Sequence, residues 1–243
     1  MENNIERHTL LKSILLHLLP GLLGGSFYFA IVPFVIRQGY PSVMALTLAA
    51  IFVLIPFELG FLLYQKRLKS EKLFNGVIKY CKRIPVWYYF VWVPVILILS
   101  GLVYTAFNFT SDFFKSFFNW MPSDMFINMG LSEEFSKQKL IITYGSFFLF
   151  VVLILSTIEE LYFRGYLLPR MPSKLKGRTL IIHSVLFALY NTWSPWMFVV
   201  RTLGIFPLSY IVKKKENILL GVISHCLINS IDFIMAAIFI LNY

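Results

Sequence analysis

Apolar residues run along this chain in long blocks, and polar residues gather in the gaps between them. A bilayer core of about 30 Å takes about 20 helical residues to cross. Blocks of that order occur at roughly 11–36, 42–64, 86–107, 140–168, 179–193, 195–212 and 217–241. The pattern predicts an all-α, polytopic membrane helical bundle of about seven transmembrane helices, forming a single membrane domain over 1–243. The fifth and sixth blocks are short, so tilt or burial against protein is expected there. Pro20, Gly24, Gly25, Pro56 and Pro94 fall inside blocks, where membrane helices tolerate them. Pro169 sets the expected end of the fourth block at Leu168, because the residue before a proline is steered away from helix. No internal repeat or low-complexity stretch interrupts the series.

Composition agrees with the pattern. Charged residues make up 14% of the chain and the mean hydropathy is +0.73, against about 25% charged in a soluble domain. The net charge of +10 does not point to nucleic acid, because the basic residues sit between apolar blocks. Lys66, Arg67, Lys69, Lys72, Lys79, Lys82 and Arg83 follow the second block. Arg170, Lys174, Lys176 and Arg178 follow the fourth, and Lys213, Lys214 and Lys215 the sixth. A seven-span count puts these three loops on one side, which the positive-inside rule makes cytoplasmic. The expectation is a multi-pass cell-membrane protein with its N-terminus in the cytoplasm and its C-terminus outside. The longest opposite loop, about 108–139, mixes Asp112, Asp124, Glu133 and Glu134 with Lys115, Lys137 and Lys139. Its aromatics (Phe113, Phe114, Phe117, Phe118, Trp120) suit the membrane interface, and Trp193 and Trp196 are expected to act as interfacial anchors. The first apolar block is too long for the h-region of a cleavable leader. Cys81 and Cys226 do not suggest a disulfide framework.

Chemistry enters with Glu159 and Glu160, adjacent carboxylates at the end of the apolar run Phe147–Ile158. A charge at the centre of a membrane helix costs about 2.5–3.5 kcal/mol on insertion scales, so the pair needs a partner, a wet cavity or a chemical task. Glu160 and Arg164 are four apart and share a helix face. Glu159 lies about 100° away and points elsewhere. Glu159 is about 13 Å from the expected cytoplasmic end of its helix, His225 about 12 Å into the seventh and Asn191 about 18 Å into the fifth. His225 and Asn229 also share a face. Carboxylates, a histidine and amides are therefore expected to meet at similar depth. Such a set permits a glutamate base activating water beside hydrogen-bond donors to an oxyanion, or a metal that acidifies its bound water, or simply a polar network joining helices. Glu58 is a further intramembrane carboxylate, expected to pair with a basic group or to line the cavity. His17 is expected to be a satisfied polar contact.

At these residues the chain resembles the CPBP (Abi) family of intramembrane proteases, which includes the type II CAAX prenyl endopeptidases. Glu159-Glu160-Leu161-Tyr162-Phe163-Arg164 reads as the family's EExxxR signature. Phe187 to Asn191 falls where FxxxH belongs, and His225 to Asn229 matches HxxxN. The resemblance spans about 155–232 and implies a CPBP-type catalytic core at 140–241. It implies a membrane-embedded endopeptidase acting near the cytoplasmic side, with Glu159 as the base, Glu160 and Arg164 in support, and His225 and Asn229 steadying the oxyanion. The implied partners are the lipid bilayer and a polypeptide substrate, lipidated or membrane-bound, and no nucleic acid. The cofactor is left open, with a divalent metal such as Zn one alternative. One position departs from the family: Asn191 stands where it has histidine, and an amide neither accepts a proton nor ligates a metal well. His183, eight residues earlier, is a poor geometric replacement. Alongside the endopeptidase stands a catalytically degenerate member that binds a membrane partner or acts in bacteriocin immunity. Transport would call for inverted repeats, which the chain does not show.

Overall fold

A computed structural model describes residues 6–243. Residues 1–5, which belong to the N-terminal stretch tested for a leader, lie outside the described residues. The chain is all-helical, interrupted among those residues by isolated bridges at Phe74/Ile78 and Cys81/Asn217. Its helices are α1 Leu10–Arg37, α2 Val43–Lys69, α3 Trp87–Phe118, α4 Lys137–Arg170, α5 Thr179–Tyr190, α6 Phe198–Lys215 and α7 Ile218–Asn242. Six are long and apolar enough to cross a membrane, α6 together with the turn at Pro195 that leads into it.

The exception is α5. Its 12 residues reach about 18 Å, well short of a full crossing. The block expected at 179–193 ends early because Asn191 turns its amide back to donate to the Phe187 carbonyl at 2.9 Å, and Ser194 N–H donates to the Asn191 carbonyl at 3.1 Å. The turn then lodges beside the middle of α1, with Thr192 Oγ1 donating to the Gly21 carbonyl at 2.6 Å. Gly21 is required there, because a Cβ would collide with the Tyr190 carbonyl. Trp193 and Trp196 are consequently 4% and 7% exposed and are not interfacial anchors. Trp193 packs on Tyr190, and Trp196 on Phe118 and Phe126 of the long loop, which folds inward over the turn. Phe113, Phe117 and Trp120 of that loop region remain outward-facing.

Helix α4 also departs from expectation, continuing through Pro169 to Arg170. A proline leaves the carbonyl four residues earlier without its helical donor. Here that carbonyl, on Gly165, accepts instead from the Lys79 N–H at 2.8 Å, so the helix runs on without an orphaned group. The 70–86 loop makes further ties at the same end: Lys82 N–H donates to the Glu216 carbonyl, Ile218 N–H to the Tyr80 carbonyl, and Asn217 Nδ2 to the Lys82 carbonyl. The N-terminal approach joins this end through His8 N–H to the Arg170 carbonyl and Arg7 Nη1 to the Pro169 carbonyl. Burial, reinforced by Lys12 and Arg170, pushes the His8 imidazole down to about 4.

Two segments of α4, Phe147–Leu155 and Glu160–Leu167, wind in wide π turns, with a short α turn at Ser156–Glu159 between them. Such turns recur at functional sites because they redirect side chains that an ideal helix would place elsewhere. Glu159 and Glu160 stand at one of these junctions.

Candidate active site

Four helices deliver the polar groups. Glu159 and Glu160 come from α4, Glu58 from α2, Tyr190 from α5, and His225 and Asn229 from α7. Counting from the ends that carry the basic loops, Glu58, Glu159 and Tyr190 each lie about 16 Å along their helices, and His225 about 10 Å. All but Asn229 are buried.

Glu160 and Arg164 form the pair that their spacing implies. Arg164 Nη1 donates to Glu160 Oε1 at 3.0 Å, with both side chains fully buried. Arg164 is further held by Ser209 Oγ at 3.3 Å from Nε and lies 3.9 Å over the Phe187 ring. The second Glu160 oxygen lies over Gly221, where a Cβ would come within 2.5 Å of it. A glycine on α7 thus lets this carboxylate sit between two helices. Glu160 Oε1 also lies 2.9 Å from His225 Nδ1.

His225 therefore sits between the two carboxyls. Its Nδ1 faces Glu160, and its Nε2 faces Glu159 Oε2 at 3.6 Å. Four residues on, Asn229 Nδ2 donates to Ser156 Oγ at 2.9 Å. The contacts 160–225 and 156–229 form successive rungs between antiparallel helices, α4 stepping back four residues as α7 steps forward four. That register turns His225 and Asn229 to the same face of α4.

The other oxygen of Glu159 meets a residue that the sequence reading passed over. Tyr190 hydroxyl lies 3.0 Å from Glu159 Oε1 and 2.8 Å from Glu58 Oε1. Tyr190 is completely buried and edge-on to Phe163 and Trp193. Its neighbour Asn191, the second-motif position, spends its amide on the α5 carboxyl end, and its hydrogen bonds run to Phe187, Ala188 and Ser194. One signal was available: Tyr190 lies three residues after Phe187 and so on the same helix face, beside a position already singled out.

His17 and His183 pair with each other. His17 Nδ1 lies 2.6 Å from the Ser13 carbonyl and its Nε2 3.0 Å from His183 Nδ1. His183 is thus committed to α1. Cys226 is half-buried, with Sγ 3.9 Å from Thr157 Oγ1. Among the described residues no group of three His, Cys, Asp or Glu side chains is arranged to hold a metal ion.

Residues 141–231 match the model of the type II CAAX prenyl endopeptidase Rce1-like family. No curated protein and no solved structure matches the chain. The matched stretch begins in α4, takes in α5, α6 and the connecting turns, and ends in α7, so it holds every motif residue from Glu159 to Asn229. Over residues 141–231 this all-helical, multi-pass membrane protein is thus similar to the type II CAAX prenyl endopeptidase Rce1-like family.

Proposed function

We propose that the protein is an intramembrane endopeptidase in which Glu159 activates water. The observation that carries this reading is the division of labour between two adjacent carboxyls. Glu160 is tied up by Arg164 and His225 Nδ1, whereas Glu159 turns one oxygen to Tyr190 and the other to the free face of His225. In the proposed reaction, Glu159 Oε2 takes a proton from water as the oxygen bonds to the peptide carbonyl carbon. The resulting oxyanion is met by neighbouring donors, with the His225 ring and the second N–H of Asn229 nearest in role. Collapse breaks the C–N bond, and the proton held by Glu159 passes to the leaving nitrogen. The substrate class is a polypeptide presented from the membrane, lipidated or membrane-anchored, cut toward the cytoplasmic side.

A second reading, a non-catalytic member that binds a membrane partner or confers bacteriocin immunity, is favoured by one observation: the Asn191 amide is spent on capping α5. One experiment separates the two. The purified protein in liposomes is offered prenylated and transmembrane peptides, with new termini read by mass spectrometry, beside Asn191→His. Cleavage by the natural protein supports the endopeptidase, and higher turnover in Asn191→His is expected if a second-motif histidine shares the water. Faster cleavage by the natural protein than by Asn191→His would make the amide the adapted group. Cleavage by neither, with the fold retained, would favour partner binding.

Orientation belongs to the same proposal. The ends of α2, α4 and α6 share one side and carry the three basic loops, which we place in the cytoplasm with the C-terminus outside. In a chain with Cys81 and Cys226 replaced, single cysteines at Lys72→Cys, Lys174→Cys and Lys214→Cys should resist a membrane-impermeant thiol reagent added to intact cells. Labelling of any one from outside would overturn the assignment.

A further inference from the structure

Glu58 is fully buried in α2, directly after the π turn at Ala50–Leu54. Among the described residues no basic group is in ion-pair contact with it. Its single partner there is the Tyr190 hydroxyl, and its second oxygen has none. The same hydroxyl also contacts Glu159. A phenol has one proton to donate, so it cannot donate to both carboxyls at once. Both contacts are hydrogen bonds only if one carboxyl carries a proton and donates it to the phenol oxygen. The chain then runs carboxyl to phenol to carboxylate, in one direction or the other.

Resting on the reading of Glu159 as base, we propose that Glu58 is a positioning residue that holds the shared proton, so that the Tyr190 hydroxyl is directed at Glu159. In that order the Glu58 carboxyl donates to the Tyr190 oxygen, and Tyr190 donates to Glu159 Oε1. Glu159 is left as a carboxylate with one oxygen occupied. The oxygen that faces His225 is the one free to take a proton from water. In the reverse order Glu159 carries the proton and has no basic oxygen to offer. Nothing is consumed in the turnover: the proton taken from water leaves with the amine, and the Glu58 proton stays where it began. Three helices must meet at one hydroxyl for this to work, and the short α5, ending at Tyr190, delivers that hydroxyl at the depth of both carboxyls.

The test has a readout that does not depend on activity. Infrared difference spectra of the purified protein in liposomes should contain the carbonyl stretch of a protonated carboxyl, shifted by deuterium exchange. The stretch should be lost in Glu58→Gln, kept in Glu159→Gln, and moved in frequency in Tyr190→Phe. A stretch lost in Glu159→Gln and kept in Glu58→Gln would put the proton on the wrong carboxyl and overturn the proposal, as would its absence from the natural protein. In the cleavage assay, Glu58→Leu should lower kcat by about ten- to a hundred-fold, the scale of one lost hydrogen bond to a charged group, with KM unchanged. Glu58→Gln, whose amide can donate to the phenol oxygen as the protonated acid does, should recover most of that loss. Adding Glu58→Leu to Tyr190→Phe should cost little more than Tyr190→Phe alone. Equal losses in Glu58→Leu and Glu58→Gln, or independent losses from Glu58 and Tyr190, would reduce Glu58 to a packing role. Full turnover in Glu159→Gln would instead reject the base assignment and leave the infrared result to stand separately.

Discussion

Glu159→Gln is expected to lower peptide hydrolysis by about 10²–10⁴-fold, the usual worth of a positioned general base, with little change in stability. Glutamine has the same shape and still accepts from the Tyr190 hydroxyl, which lies 3.0 Å from Oε1. What it cannot do is take a proton on the oxygen that faces His225 Nε2 across 3.6 Å. Because the loss is a loss of proton transfer, it should appear in kcat and leave KM nearly unchanged. Glu159→Ala should remove the same function and also take away one of the two carboxyls that the Tyr190 hydroxyl contacts. Turnover indifferent to either substitution would remove Glu159 from the chemistry, whatever the fate of the rest of the site.

The largest stability effect is expected at Arg164. Arg164→Leu leaves Glu160 fully buried with its strongest partner gone, and breaking a buried ion pair from one side typically costs about 3–5 kcal/mol. Arg164 also gives up its contacts with Ser209 and the Phe187 ring. Denaturant titration in mixed micelles should show the loss. The double substitution Glu160→Gln with Arg164→Met should recover most of it, since an uncharged pair of similar volume in place of a buried ion pair is often neutral. That rescued protein should still cleave poorly, because His225 Nδ1 no longer faces a carboxylate. A double variant as unstable as Arg164→Leu would mean that Arg164 holds the fold through contacts other than Glu160. A rescued double variant with full activity would mean that orienting His225 does not need the Glu160 charge.

Residues differ in how far the sequence alone places them. The Glu160–Arg164 pair was readable because both residues lie on one helix, and their separation is set by backbone geometry alone. His225 and Asn229 on one face were readable for the same reason. The pairing of that face with α4 was not, because it depends on the register of two antiparallel helices, 160 against 225 and 156 against 229. The length of α5 was misjudged, because hydropathy does not register the Asn191 amide closing the helix on Phe187. The same early stop buried two tryptophans that composition would place at the interface, and brought Tyr190 rather than Asn191 to Glu159.

Local periodicity and the cost of burying charge are properties of the chain before it folds, and they were enough for the coarse architecture. They yield an all-α bundle of apolar helices, the loops that carry basic charge, and a set of motif residues on α4, α5 and α7 at comparable depth. The rotation of each helix about its axis, the register between helices and the place where α5 stops came only from tertiary packing. Each of these is settled by contacts between residues far apart in the chain: Thr192 on Gly21, His183 on His17, and Glu58 and Glu159 on one Tyr190 hydroxyl. A π turn between Glu160 and Leu167 shifts the angular spacing that an ideal helix would impose, and hydropathy is blind to such rotations because every face of these helices is largely apolar.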